Sequence, residues 1–364
     1  MPKFRDTSEF GPTLDAVAEQ LRISATAIEK DYWVSEVLRV LAREFEGDFI
    51  FKGGTSLSKG YHIVERFSED IDVLVLPGER GRNATDKLMK AMGAAAAAGI
   101  SGSASSVGGS ETGRHRSYEV SYPATRKATT LIRTAVLLEM GVRGGPRPHE
   151  SVPITCLLGD VLDAAGTDLS EFTDLEPFMV FLQHPARTLL EKLVHIHALT
   201  QALVADTYRL PDRRSGRHFY DVFQLLDDDQ VLSVLADREQ VDQVLESIEE
   251  ITRDYFGGSD ETELRPGGGF ATSPAFDLDT DVSRRFHAAY ESTMPELYFG
   301  TGLPPTWDAG LQPGCRPARA ALAPSAQPLA CRRGDLNPHA PKGTSPSSWR
   351  VCRFRHSDVE GRSY

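Results

Sequence analysis

Two carboxylates, Asp70 and Asp72, stand two residues apart in the run Asp70-Ile71-Asp72-Val73-Leu74-Val75, which reads as a strand. A period of two puts both on one face. Paired hard oxygens suit Mg2+ or Mn2+, although a D-x-D taken alone is also the pattern of a solvated strand face. Upstream, Gly53 and Gly54 let the backbone approach a ligand closely, and Thr55 and Ser56 can cap a helix while offering hydroxyls to a phosphate. Ser68 lies two positions before Asp70 and shares its face if the strand has begun there; otherwise it is a turn or capping serine. Together these parts would hold a metal-bound nucleoside triphosphate.

The elements that must position them follow from periodicity. Leu14, Val17 and Leu21, then Ile28, Tyr32, Leu38 and Leu41, mark two short amphipathic helices between Thr13 and Glu44, with Ser24 and Thr26 as candidate caps. Phe49-Ile50-Phe51 is a strand entering the glycine turn, Leu57 to Glu65 the helix after it, and Ile71 to Leu76 the second strand. Residues 84–98 form an alanine-rich helix, and GISGSASSVGGSETG has no apolar period and reads as a flexible loop. Tyr118 to Tyr122 alternates, and Leu131 to Val142 is a longer strand carrying Glu139 among apolar neighbours. From Pro185 the pattern is helical, again from Tyr220 to Val234, and around Val241–Tyr255 and Val282–Tyr290. The sequence therefore predicts an α+β fold: a mixed sheet with flanking helices in a first domain, 1–178, a helical C-terminal domain, 179–310, and a disordered tail, 311–364.

The block Lys52-Gly53-Gly54-Thr55-Ser56-Leu57-Ser58-Lys59, followed by Arg66-Phe67-Ser68-Glu69-Asp70-Ile71-Asp72, resembles the signature of the AbiEii/AbiGii toxin family. That family is a nucleotidyltransferase branch of the DNA polymerase beta superfamily and includes the MenT-type toxins. The likeness extends to Ile28-Glu29-Lys30-Asp31-Tyr32-Trp33, to Arg187-Thr188-Leu189-Leu190-Glu191-Lys192-Leu193 and to Arg217-His218-Phe219-Tyr220-Asp221. The resemblance implies a polymerase-beta-like core, with Asp70, Asp72 and a third carboxylate, Glu139, as metal ligands. It implies a catalytic Lys192 meeting the triphosphate, and Asp221 as an acid of the helical domain that completes the site. Gly53, Gly54, Thr55, Ser56, Ser68 and Lys192 would bind the nucleotide. Read alone, Lys192 is an exposed helix lysine, Asp221 a helix N-terminal acid and Glu139 a surface strand acid.

What the resemblance implies for function is the toxin of a toxin–antitoxin or phage-defence pair, moving NMP from an NTP to an RNA acceptor, the tRNA 3′ end. A cognate antitoxin, a winged-helix protein, would be its partner. Two rivals stay open: transfer to a protein or small molecule, and a nucleotide-binding regulator without turnover. Arg213, Arg214, Arg217 and His218 form the densest basic cluster and could hold phosphates of nucleotide or RNA. His195 and His197 face apart on a helix, against metal ligation, and Glu29-Lys30-Asp31 reads as helix-surface or interdomain pairs.

Composition fits this reading. The 364 residues are 40% hydrophobic and 25% charged, with net charge −12. The tail carries nine basic against three acidic residues, leaving 31 basic and 49 acidic in the body. That balance argues against broad, sequence-indifferent nucleic-acid binding and allows only a local basic groove. No apolar run reaches membrane-spanning length and the N-terminus lacks a secretory segment, so a cytoplasmic protein is expected. Cys156 precedes Cys315, Cys331 and Cys352 without metal-ligand spacing, which supports neither a disulfide framework nor zinc.

Overall fold

The computed structural model describes residues 2–68, 70–128, 132–142, 144–206, 215–256, 264–300 and 302–308. All of them fall in one compact unit, Met1–Ser325. Arg213, Arg214 and the tail with its three cysteines lie outside the described residues.

Ser24 starts the long N-terminal helix by accepting a hydrogen bond from the Ala27 N–H. The preceding helix, α1 (Phe10–Leu21), ends at Arg22 in the left-handed region. The helix after Ser24, α2 (Ala25–Glu44), runs 20 residues, longer than its short apolar stripe suggested. Thr26 is no cap: it is buried, and its hydroxyl donates to the Lys127 carbonyl. Glu29, Lys30 and Asp31 are not surface groups either. The Glu29 carboxylate accepts from the N–H groups of Thr125 (2.6 Å) and Arg126 (2.9 Å), and Lys30 donates to the carbonyls of Arg133 and Ala135. Asp31 pairs with Lys59 at 2.6 Å and accepts from the Leu157 N–H at 2.7 Å. Buried charges persist only when paired in this way, so α2 is a polar strut on which neighbouring segments are hung.

The strand, glycine turn, helix, strand order is present as β1 (Phe49–Lys52), α3 (Gly53–Lys59) and β2 (Asp70–Val75). The helix starts at the glycines themselves rather than at Leu57. It ends at Gly60, before the backbone turns left-handed at His62 (φ 53°). After α4 (Arg82–Gly99), the expected loop contains an edge strand, β3 (Ala104–Ser106), paired with β4 (His115–Ser121). Next come β5 (Ala135–Gly141), β6 (His149–Ile154), α5 (Leu157–Ala164) and β7 (Phe178–Gln183). Strand order is β3-β4-β5-β2-β1-β7-β6, with β2/β5 and β1/β7 parallel and the other pairs antiparallel.

Val136, Leu138 and Met140 of β5 point into a core shared with α1, α2 and α4, leaving Leu137, Glu139 and Gly141 on the opposite face. A second apolar cluster joins α6 (Pro185–Val204), α7 (Gly216–Leu225), α8 (Asp229–Ala236), α9 (Arg238–Phe256) and α10 (Asp281–Leu297) to Leu57 and Val64. Asp228 caps α8 by accepting from the Gln230 and Val231 N–H groups, which splits the single helix expected from Tyr220 to Val234. Residue 178, where the sequence divided the chain, is the first residue of β7, so the sheet continues to Gln183 before the helices begin.

Candidate active site

Pairing across the sheet brings the site together. Asp72 lies opposite Lys52 on β1 and opposite Glu139 on β5, and Glu139 lies opposite Ser117 on β4. Four strands thus carry one row of polar side chains on the face left free by the core. Asp70 projects from the same face two residues earlier, and Asp70, Asp72 and Glu139 all line a cleft of about 590 Å³. Burial, and then the charges of Asp72 and Asp70 with a hydrogen bond to Asp72, push the Glu139 carboxyl up to about 7.

The glycine turn forms one end of this cleft. Gly53 sits at φ 80°, and a Cβ there would collide with the Asp72 carboxylate; one on Gly54 would collide with the Arg66 guanidinium. Both positions need glycine because charged groups close over the backbone. Thr55 and Ser56 do not offer their hydroxyls to the cleft. Thr55 Oγ1 donates to the Asp70 carbonyl at 2.6 Å and stands 2.8 Å from Ser68 Oγ, and Ser56 Oγ donates to the Gly53 carbonyl at 2.8 Å. They hold the turn against the start of β2, while Ser68 lines the cleft.

Helices α6 and α7 make the facing wall. Thr188, Glu191, Lys192 and His195 follow the three-to-four spacing that places them on one side of α6, and Arg217 and His218 come from the first turn of α7. Lys192 reaches the cleft, with Nζ 2.8 Å from Asp221 Oδ2. Asp221 itself is fully buried behind it, accepting also from Arg66 Nε at 2.6 Å and Nη2 at 2.8 Å. Burial alone would raise the Asp221 carboxyl, but Arg66 and Lys192 hold it well below the usual carboxylate range. Burial lowers Lys192, and burial together with the Lys192 charge lowers His195 and His218, whose rings stand 5.0 Å apart. Those imidazoles are therefore neutral near pH 7. Arg187 braces Glu191 at 3.1 Å, and Lys52 approaches the same carboxylate at 3.9 Å.

The structure thus gathers Gly53, Gly54, Ser68, Asp70, Asp72, Glu139 and Lys192 around one cleft, and places Thr55, Ser56 and Asp221 just behind it. Lys52, Arg66, Glu191, His195 and Arg217 line it as well. Lys52 faces Asp72 only through the β1–β2 register, but His195 was findable, three residues after Lys192 on the same helix. Among the described residues, no three His, Cys, Asp or Glu side chains enclose a metal ion by themselves.

A mixed sheet presenting a D-x-D pair beside a glycine turn, with a third acid on the adjacent parallel strand, is the core of a nucleotidyltransferase. The family model for the nucleotidyl transferase AbiEii toxin of type IV toxin–antitoxin systems matches residues 39–312, and the chain belongs to that family. It is thus a toxin nucleotidyltransferase, an enzyme with a nucleotide substrate, and its family pairs it with an antitoxin. Among solved structures it is similar to MenT4, a nucleotidyltransferase toxin from Mycobacterium tuberculosis H37Rv. Identity is 17% over 78% of this chain and 96% of that one, with a TM-score of 0.36, too loose a superposition to equate residues. No curated protein matches the chain. Among the described residues, no helix is long and apolar enough to cross a membrane.

Proposed function

We propose that this toxin transfers NMP from an NTP to an RNA acceptor, the 3′ end of tRNA, in the cytoplasm, and that it does so with Mg2+ or Mn2+. The observation that carries the reading is the arrangement of Asp70, Asp72 and Glu139 across the cleft from Lys192 and Arg217, with the glycine turn between. The triphosphate lies along that turn, its β and γ phosphates near Gly53, Gly54 and Ser68 and against Lys192 and Arg217.

The residues fit a divalent ion. Mg2+ is commonly held by one or two carboxylates plus substrate phosphates, and Asp70, Asp72 and Glu139 bring three carboxylates to one cleft wall. Asp70 and Asp72 would hold it, with Glu139 beside them, and it would neutralise charge on the attacking and leaving oxygens. In the transfer itself the acceptor hydroxyl oxygen attacks the α phosphorus, the bond to the α–β bridging oxygen breaks, and pyrophosphate leaves. Glu139 takes the hydroxyl proton.

Asp221 is a positioning residue in this scheme: it fixes Lys192 and Arg66 and touches no substrate. The nucleotidyltransferase domain, read as 1–178, extends to Gln183 once it takes in the whole of β7, and the helical domain follows to 310. A winged-helix antitoxin encoded separately would neutralise the toxin in a toxin–antitoxin or phage-defence setting. The reading is tested by offering tRNA and each NTP, labelled at the α phosphate, to the purified protein. Label in protein or in a small molecule, with tRNA bare, would transfer the acceptor role to those classes.

A further inference from the structure

The row of Ser117, Glu139, Asp72 and Lys52 has a cavity on each side. Beyond the nucleotide cleft, a second space of about 420 Å³ shares Lys52, Asp72 and Glu139 and is bounded by Glu111 and Arg114 from the β3–β4 connection and by His115 at the start of β4. Its floor is open for a simple reason. Gly141 follows Glu139 by two residues on the same face of β5, opposite His115, and has no side chain to fill the space. The connection is held in place by backbone hydrogen bonds between Glu111 and His115 (2.8 and 2.9 Å) and from the Val142 N–H to the Arg114 carbonyl (3.0 Å). Arg114 Nη1 pairs with Glu111 Oε1 at 2.9 Å at the rim.

The chemistry needs such a second space. Displacement at phosphorus is in line, so the attacking oxygen must approach the α phosphate from the side opposite the departing pyrophosphate. With the β and γ phosphates at the glycine turn, that side is the far side of the Asp72–Glu139 row. Resting on the RNA reading above, we propose that the second cavity binds the terminal nucleotide of the acceptor RNA. Arg114 and Lys52 contact its phosphate, His115 lies beside its ribose, and its hydroxyl is directed past Glu139. The new bond joins that oxygen to the α phosphorus; the bond to the bridging oxygen breaks, its electrons leave with pyrophosphate, and the proton passes to Glu139. A space of this size suits a small ligand such as one nucleotide, and a protein side-chain hydroxyl would leave most of it empty. The RNA end must therefore be unpaired when it enters.

Two measurements on the full chain test this. Single-stranded RNA ending in a 3′ 4-thiouridine is irradiated with the protein and the crosslinked peptide is mapped. Attachment within residues 109–115 is expected; attachment elsewhere, or none, overturns the proposal. In steady-state transfer, Arg114→Ala is expected to raise the acceptor KM about tenfold, the loss of one charge-assisted hydrogen bond, with the NTP KM unchanged. An unchanged acceptor KM, or an equal rise in both constants, also overturns it. Failure of the RNA reading has its own signature, wild-type protein that puts no label into RNA, and the crosslink then decides the cavity by itself.

Discussion

Asp221→Asn removes one charge from a group that has no exposed surface. The carboxylate accepts two hydrogen bonds from Arg66 and pairs with Lys192 at 2.8 Å, so the amide leaves the buried Arg66 and the cleft-lining Lys192 facing each other, with Asp70 the remaining carboxylate acting on Arg66. Breaking a buried pair by removing one partner costs about 3–5 kcal/mol. For a chain of this size that corresponds to a fall in the thermal midpoint of about 4–8 °C. The loss should also reach function, because Arg66 sits against Gly54 and Lys192 lines the cleft. Differential scanning fluorimetry and equilibrium NTP binding, run together, are the assays. Replacing Lys192 by Met in the same chain should recover part of the midpoint and none of the NTP affinity. The pH dependence has a definite sign. A carboxyl held below its ordinary value of about 4 stabilises fully above that value, and the contribution is lost as pH falls through the depressed one. The gap between wild type and variant should thus be constant around neutrality and narrow only in acid. A variant with wild-type midpoint but no turnover would refute the reasoning and make Asp221 a participant in the chemistry.

Gly53→Ala forces a side chain into a left-handed backbone, at about 1–2 kcal/mol, and pushes against the Asp72 carboxylate; transfer should fall far more than the thermal midpoint, checked by assaying both on one preparation. Asp31→Asn should destabilise by about 3–5 kcal/mol in denaturant titration, since it strands Lys59 at the end of α3. Glu139→Gln should leave NTP binding intact and reduce turnover by about 10²-fold or more, the usual loss with a general base, measured by single-turnover kinetics.

Much of the site was legible because its parts are local. Phe49 to Val75 contains an apolar strand, a glycine turn and an alternating strand in continuous sequence, and period two alone aligned Asp70 with Asp72. What was missed depends on packing between distant segments. Ala104-Ser105-Ser106 has no apolar residue larger than alanine to betray a strand, and it is held in the sheet by pairing with β4. Strand β6 contains Pro153 and little that is apolar, and outward Met179 and Phe181 hide the alternation of β7. Glu29, Lys30 and Asp31 look like a helix surface until the loop at Thr125, strand β5 and Lys59 supply their partners. Lys192 and Asp221 could be singled out by resemblance, but their direct contact joins two helices, and the part played by Arg66 comes from a third segment.

The most direct test of the central claim is incubation of the purified protein with total tRNA, Mg2+ and each α-labelled NTP in turn, beside Asp72→Ala and a chelated control. The account predicts label in tRNA with wild-type protein and metal, and none in either control. Folded wild-type protein that binds NTP yet leaves tRNA unlabelled, or label that survives loss of Asp72, would contradict it.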